Sequence, residues 1–172
     1  WTEAALRHYL RRGHHAEHGI AGGPMAGVVQ QLAQVPDAAL AAMAHYLVAL
    51  QPAAVADAPA APARLQQAAA QAALLPGPAQ RLFNGACGAC HHDGDGPALL
   101  GLNQPLALNP NLHSARPDNL LRTILDGIWQ PAFPEIGHMP AFRHALDDAQ
   151  IAELAAWMRQ RYAPGQAPWP DL

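Results

Sequence analysis

Cys87-Gly88-Ala89-Cys90-His91 is the stretch on which the fold of this chain turns. Thiols at i and i+3 lie on the same side of a helical turn. They can reach two vinyl groups along one edge of a porphyrin, and the imidazole that follows can swing under the iron. That is the C-x-x-C-H signature of covalent haem attachment. Two other uses of a C-x-x-C pair fit less well. A thioredoxin-like disulfide wants a βαβ setting, which the flanking pattern lacks. A zinc site wants a second Cys pair or a His pair at the usual distance downstream, and neither is there. Both cysteines of the chain are spent in this motif.

An iron held by His91 needs a second axial ligand. A Met thioether is soft, favours ferrous iron and raises the reduction potential. Met139 sits downstream in Gly137-His138-Met139-Pro140-Ala141-Phe142, a loop before the last helical pattern. An arbitrary Met is more often a core filler, but the loop setting and Pro140 favour ligation here. Met158 lies on an apolar helical face and reads as core. His138 is the rival ligand, one that would give a bis-His iron. His92 follows the proximal His too closely to reach the other face and is expected to be exposed. His8, His14, His15, His18, His45, His113 and His144 are expected at the surface.

The rest of the composition narrows the setting. Of 172 residues, 51% are apolar but only 6% aromatic, so a cofactor that adds apolar surface would help build a core. The net charge is −3, with ten Arg and no Lys and no basic stripe, which argues against a nucleic-acid partner. No stretch reaches the roughly 18 uninterrupted apolar residues of a spanning helix. The chain opens on Trp1 and enters a helical pattern at once, as expected of a processed chain or a piece of a longer one.

Three regions follow one another. Residues 1–50 are patterned and helical. Residues 51–76 are rich in Ala, Pro and Gln and suit a linker with a short helical patch around Arg64 to Leu75. Patterning returns over 77–163, and the proline-rich residues 164–172 are expected to form an extended tail. The first and third regions repeat one another. Gly13 lies twelve residues before Met25 as Gly127 does before Met139, and each Met stands in a Gly-X-Met context. A loop is expected after each, then an acidic helix start at Asp37 or Asp148. The faces Leu40, Met43, Tyr46, Leu47 and Ile151, Leu154, Trp157, Met158 then recur at one helical spacing. The first copy has no cysteine motif of its own.

Residues 77–163 resemble a class I cytochrome c domain. Leu82-Phe83 precedes the motif at the spacing of that family's first helix. Ala79 stands where the first and last helices of the family cross, and Trp157 is the aromatic that packs there with Phe83. Met139-Pro140 matches the axial-Met loop. The resemblance further implies that the Pro97 carbonyl accepts the His91 N–H and so orients the imidazole. Residues 1–50 resemble the C-terminal half of the same fold. Trp1-Thr2, Tyr9 to Gly13, Gly23 to Ala26 and Met43 to Leu47 are closer still to the second module of three-haem cytochrome subunits of membrane-associated bacterial dehydrogenases. Those subunits partner alcohol or aldehyde dehydrogenases, or molybdenum hydroxylases acting on nicotinate-type heterocycles. That group has three C-x-x-C-H motifs and this chain has one.

The expectation is an all-α cytochrome c fold, one complete module preceded by the C-terminal half of another. It carries one covalently attached haem c, with His91 and Met139 as iron ligands. If the chain is a piece of a longer one, Met25 becomes the distal ligand of a neighbouring haem that this chain does not contain; if it is complete, Met25 is a loop Met with no haem to bind. The chain is then not an enzyme but an electron-transfer subunit, taking electrons from a dehydrogenase catalytic subunit. A quinone, an oxidase or a small redox carrier receives them. The resemblance puts it in the periplasm, on the face of the inner membrane. The competing readings are a haem peroxidase or sensor with a displaceable distal ligand, and a non-haem redox or zinc domain.

Overall fold

Helices dominate the chain from its first turn, where the Thr2 hydroxyl accepts the Ala5 N–H (3.1 Å) and opens α1 (Glu3–Arg12). The computed structural model describes residues 1–52, 60–73, 76–96, 101–170 and 172. Helix α1 ends at Gly13, whose φ of 71° lets its N–H reach the Tyr9 carbonyl (2.8 Å); only glycine takes that conformation without strain. A two-residue antiparallel hairpin follows, β1 (His14–His15) with β2 (Gly19–Ile20), then α2 (Pro24–Leu32) and α3 (Asp37–Ala49). Met25 is thus followed by a helix and not by the expected loop. Pro24 at the first helical position presets the backbone for it, and the next seven residues contain no proline.

Arg11 ties this region together. Its guanidinium donates to the carbonyls of Leu32 (3.0 Å), Ala33 (2.6 Å) and Val35 (2.8 Å), and to the Asp37 carboxylate (2.7 Å). It therefore satisfies carbonyls at the end of α2, which have no helical partner, and links them to the acidic start of α3. Helix α3 packs on α1 with Leu40 and Ala44 fully buried, but the rest of its expected inward face is bare. Met43, Tyr46 and Leu47 are 44%, 64% and 43% exposed.

The corresponding face in the third region is covered. Helix α8 (Asp148–Tyr162) starts with a capping box between Asp147 and Gln150. It buries Ile151, Leu154, Trp157, Met158 and Tyr162 against α5 (Pro78–Ala86), α7 (Asp118–Asp126), the four-residue α6 (Pro110–His113) and α4 (Ala61–Gln71). Phe83 of α5 lies 5.0 Å from Trp157 and 5.7 Å from Tyr162, centroid to centroid. Burying each such aromatic contributes about 1.5–3 kcal/mol. Ala79 packs at the edge of the same core, in keeping with its expected place at the crossing of first and last helices. Helix α4, in the alanine-rich stretch, buries Ala69, whose carbonyl accepts from Arg161 of α8. The residues after α8 form no helix or strand, yet Trp169 is buried.

The first region rests on the loop that leads to Met139. Ala21, Ala26 and Val29 form one apolar cluster with Ala132 and Ile136, and Gln30 donates to the Ala132 carbonyl (2.9 Å). A Cβ on Gly13 would stand 3.1 Å from that of Ala132.

Candidate haem site

The cysteine motif grows directly out of α5. Cys87 and Gly88 N–H groups both donate to the Phe83 carbonyl (2.8 Å each). Cys90 and His91 then donate back to the Cys87 carbonyl (3.1 and 2.9 Å). The motif is therefore one tight helical turn, which puts both free, half-buried thiols on one side of it. Burial, with the neighbouring Cys90 charge, pushes the Cys87 thiol up to about 11. It is protonated at neutral pH and poorly reactive toward adventitious electrophiles. Burial and the neighbouring His92 hold His91 below the usual histidine range, so its imidazole is neutral and keeps a lone pair for a metal.

Cys87, Cys90 and His91 line a cavity of about 270 Å³, and His138, Met139 and Phe142 line it with them. Met139 is half-buried and its backbone is fixed: it pairs with Ile128 through two hydrogen bonds (2.8 and 3.2 Å). Just after it, the Phe142 and Arg143 N–H groups donate to the Ile124 and Leu125 carbonyls (3.0 and 3.2 Å). The loop is stapled to the end of α7 at Met139 and again just after it. His138 lines the cavity too but is exposed.

Gly127 makes this staple sterically feasible. Its φ is 69°, and a Cβ there would lie 2.5 Å from the Met139 carbonyl oxygen and 2.8 Å from the Ala141 nitrogen. Gly127→Ala is expected to cost about 1–3 kcal/mol for the forced left-handed conformation and the displaced loop. Denaturant unfolding measures that cost. A variant as stable as the parent would show that the loop yields freely.

The residues present fit a covalently bound haem. Two thiols, a neutral imidazole and a thioether line one cavity, and the lining is largely apolar. The buried His91 Nδ1 has no hydrogen-bond partner among the described residues, and the carbonyl expected to serve it, that of Pro97, lies outside them. Met25 is not at this cavity. It is half-buried beside the cluster of Ala21, Ala26 and Val29.

Several histidines depart from expectation. His92 is not exposed: its side chain is 13% accessible. Its Nδ1 faces the N–H groups of Gly94 and Gly96 (3.1 Å each), and its carbonyl accepts from Asn103 (2.8 Å). It organises the loop after the motif. His113 is half-buried because its Nε2 pairs with the Ala107 carbonyl (2.8 Å). His14, His15 and His18 are half-buried as well, since their rings pack on one another and on those of Trp1 and His8. Sequence reasoning also missed Ile20 and Ala21, which wall the cavity from the first region, and Gly101, Leu102 and Asn103. Local pattern carries no signal for Ile20 and Ala21, because their role arises from contact across more than a hundred residues.

Residues 76–158 match the family model described as cytochrome C oxidase, cbb3-type, subunit III. This stretch is a cytochrome c-type domain, with the all-α cytochrome c fold. The whole chain also aligns with a nicotinate dehydrogenase subunit of Pseudomonas putida (strain KT2440), at 45% identity over 174 positions. That alignment takes in 100% of this chain and 14% of the relative's length.

Proposed function

We propose that this chain transfers electrons through one haem c, attached by Cys87 and Cys90 and ligated by His91 and Met139. The observation that carries the reading is that Cys87, Cys90, His91 and the backbone-fixed Met139 all line one cavity. When bound, the haem supplies a one-electron ferric/ferrous couple. His91 would hold the iron through a neutral nitrogen and Met139 through a soft sulfur, a pair that would serve electron transfer without a substrate at the metal. Ile20, Ile128, Ile136 and Phe142 keep the surroundings apolar, which disfavours the extra charge of the ferric state and raises the potential.

The similarity to a dehydrogenase subunit supports a dehydrogenase catalytic subunit as the electron donor. A quinone, an oxidase or a small redox carrier is the acceptor, and the periplasm, at the inner-membrane face, is the location. Residues 1–50 act as the C-terminal half of a second module, with Met25 as distal ligand of its haem. The bare face of α3 supports this: the equivalent face of α8 is covered by α5, so Met43, Tyr46 and Leu47 await a helix like α5 from elsewhere in a longer polypeptide. Residues 77–163 form the haem module, with α4 and Trp169 packed into its core, and the rest of 51–76 connects the two regions.

Expression in a host that matures c-type cytochromes tests the haem itself. The purified chain is expected to give a c-type reduced haemochrome that survives acid–acetone extraction. Cys87→Ser with Cys90→Ser is expected to lose all covalent haem. Haem retained after extraction in that double variant, or none in the parent, would overturn the proposal.

A further inference from the structure

Away from the haem cavity, the hairpin after α1 gathers metal-binding side chains. His15, Glu17 and His18 each offer a ligand atom, and the three atoms lie within 4.8 Å of one another. Among the described residues no other group of three His, Cys, Asp or Glu does so. His8 stands beside them, its ring 5.9 Å from that of His15 and 5.3 Å from that of His14. His8, His14, His15 and Glu17 line an open surface pocket of about 690 Å³ together with Leu102, Asn103 and Gln104.

We propose that His15, Glu17 and His18 form a zinc(II) site on this hairpin, with His8 as the neighbouring group able to complete it. Two imidazoles and one carboxylate are a donor set that suits zinc and its late first-row neighbours. Magnesium and calcium prefer oxygen ligands throughout. The rings are held where a metal needs them. Trp1 stacks on His18 with centroids 3.6 Å apart and planes at 22°, so less side-chain freedom is lost on binding. The competing interaction is weak: His15 Nδ1 accepts the Glu17 N–H at 3.2 Å. Ligation through Nε2 leaves that bond in place, and ligation through Nδ1 gives up only that long bond.

The position gives the site a consequence. The hairpin continues through Ile20 to Ala21, and both residues wall the haem cavity. An ion on His15, Glu17 and His18 would brace that wall from behind, beside Leu102 and Asn103, which border both cavities.

Equilibrium dialysis of the full chain against zinc chloride at micromolar free metal, followed by metal analysis, tests the proposal. One zinc per chain is expected, with a rise in Tm. His15→Ala with His18→Ala should weaken binding by at least about tenfold. Glu17→Gln, at an exposed side chain without a packing role, should weaken it as well. His45→Ala with His144→Ala removes two exposed histidines elsewhere and should leave uptake unchanged. No zinc uptake by the parent, or uptake unaffected by the His15/His18 and Glu17 changes, would overturn the site. Neither result bears on the haem, which the thiol substitutions test separately.

Discussion

Met139→Ala is expected to lower the reduction potential and to let cyanide or imidazole coordinate the iron. In the proposed ligation the thioether is the softer ligand, and its loss would remove the preference for ferrous iron. The fall should be on the order of 0.1–0.3 V, a fraction of the roughly 0.8 V that axial ligation spans. The fold should survive, because Met139 is held through backbone hydrogen bonds to Ile128 that alanine retains. Potentiometry and ligand titration of the purified variant measure both effects. An unchanged potential would mean that His138, which lines the same cavity, is the ligand. A parent that already binds cyanide readily would favour a sensor or peroxidase with an open distal position.

Arg159→Met is expected to be the most destabilising single change outside the haem site. Arg159 is 5% exposed, on the buried side of α8. Its guanidinium donates to the carbonyls of Leu112 (3.0 Å), Ser114 (2.7 Å) and Ala167 (2.6 Å), and stacks over the Trp169 ring at 4.1 Å. Trp169 in turn donates its indole N–H to the Ser114 carbonyl (3.0 Å). Methionine fills much of the volume but donates nothing. Each acceptor left dry costs about 1–3 kcal/mol. Some relaxation toward water brings the expected total to about 2–4 kcal/mol, a fall in Tm of about 5–15 °C for a chain this long. Thermal unfolding followed by circular dichroism measures it. A shift under about 2 °C would show that the C-terminal segment contributes little to the core.

The repeat makes the contrast between pattern and packing concrete. Spacing alone pointed to Leu40, Met43, Tyr46 and Leu47 as an inward face like that of α8, and the helix forms where expected. Only Leu40 of the four is buried. A helical face announces that it wants cover, but a partner element must supply it, and α1 covers one edge alone. The same limit applies to His92: its sequence position beside the proximal ligand carries no trace of the two N–H groups that enclose its ring.

By itself the sequence marked the candidate anchor and ligands and determined the helical class, because each rests on a short spacing: two thiols and an imidazole within five residues, or apolar positions three and four apart. Tertiary structure alone decided that Met139 and His91 line one cavity, with the Met139 loop braced by Ile128 and by the end of α7. It alone decided that Ile20 and Ala21 close that cavity, and that α3 keeps an uncovered face. Those outcomes depend on which distant surfaces meet, and a one-dimensional pattern records the appetite of a face for burial, not the partner that satisfies it.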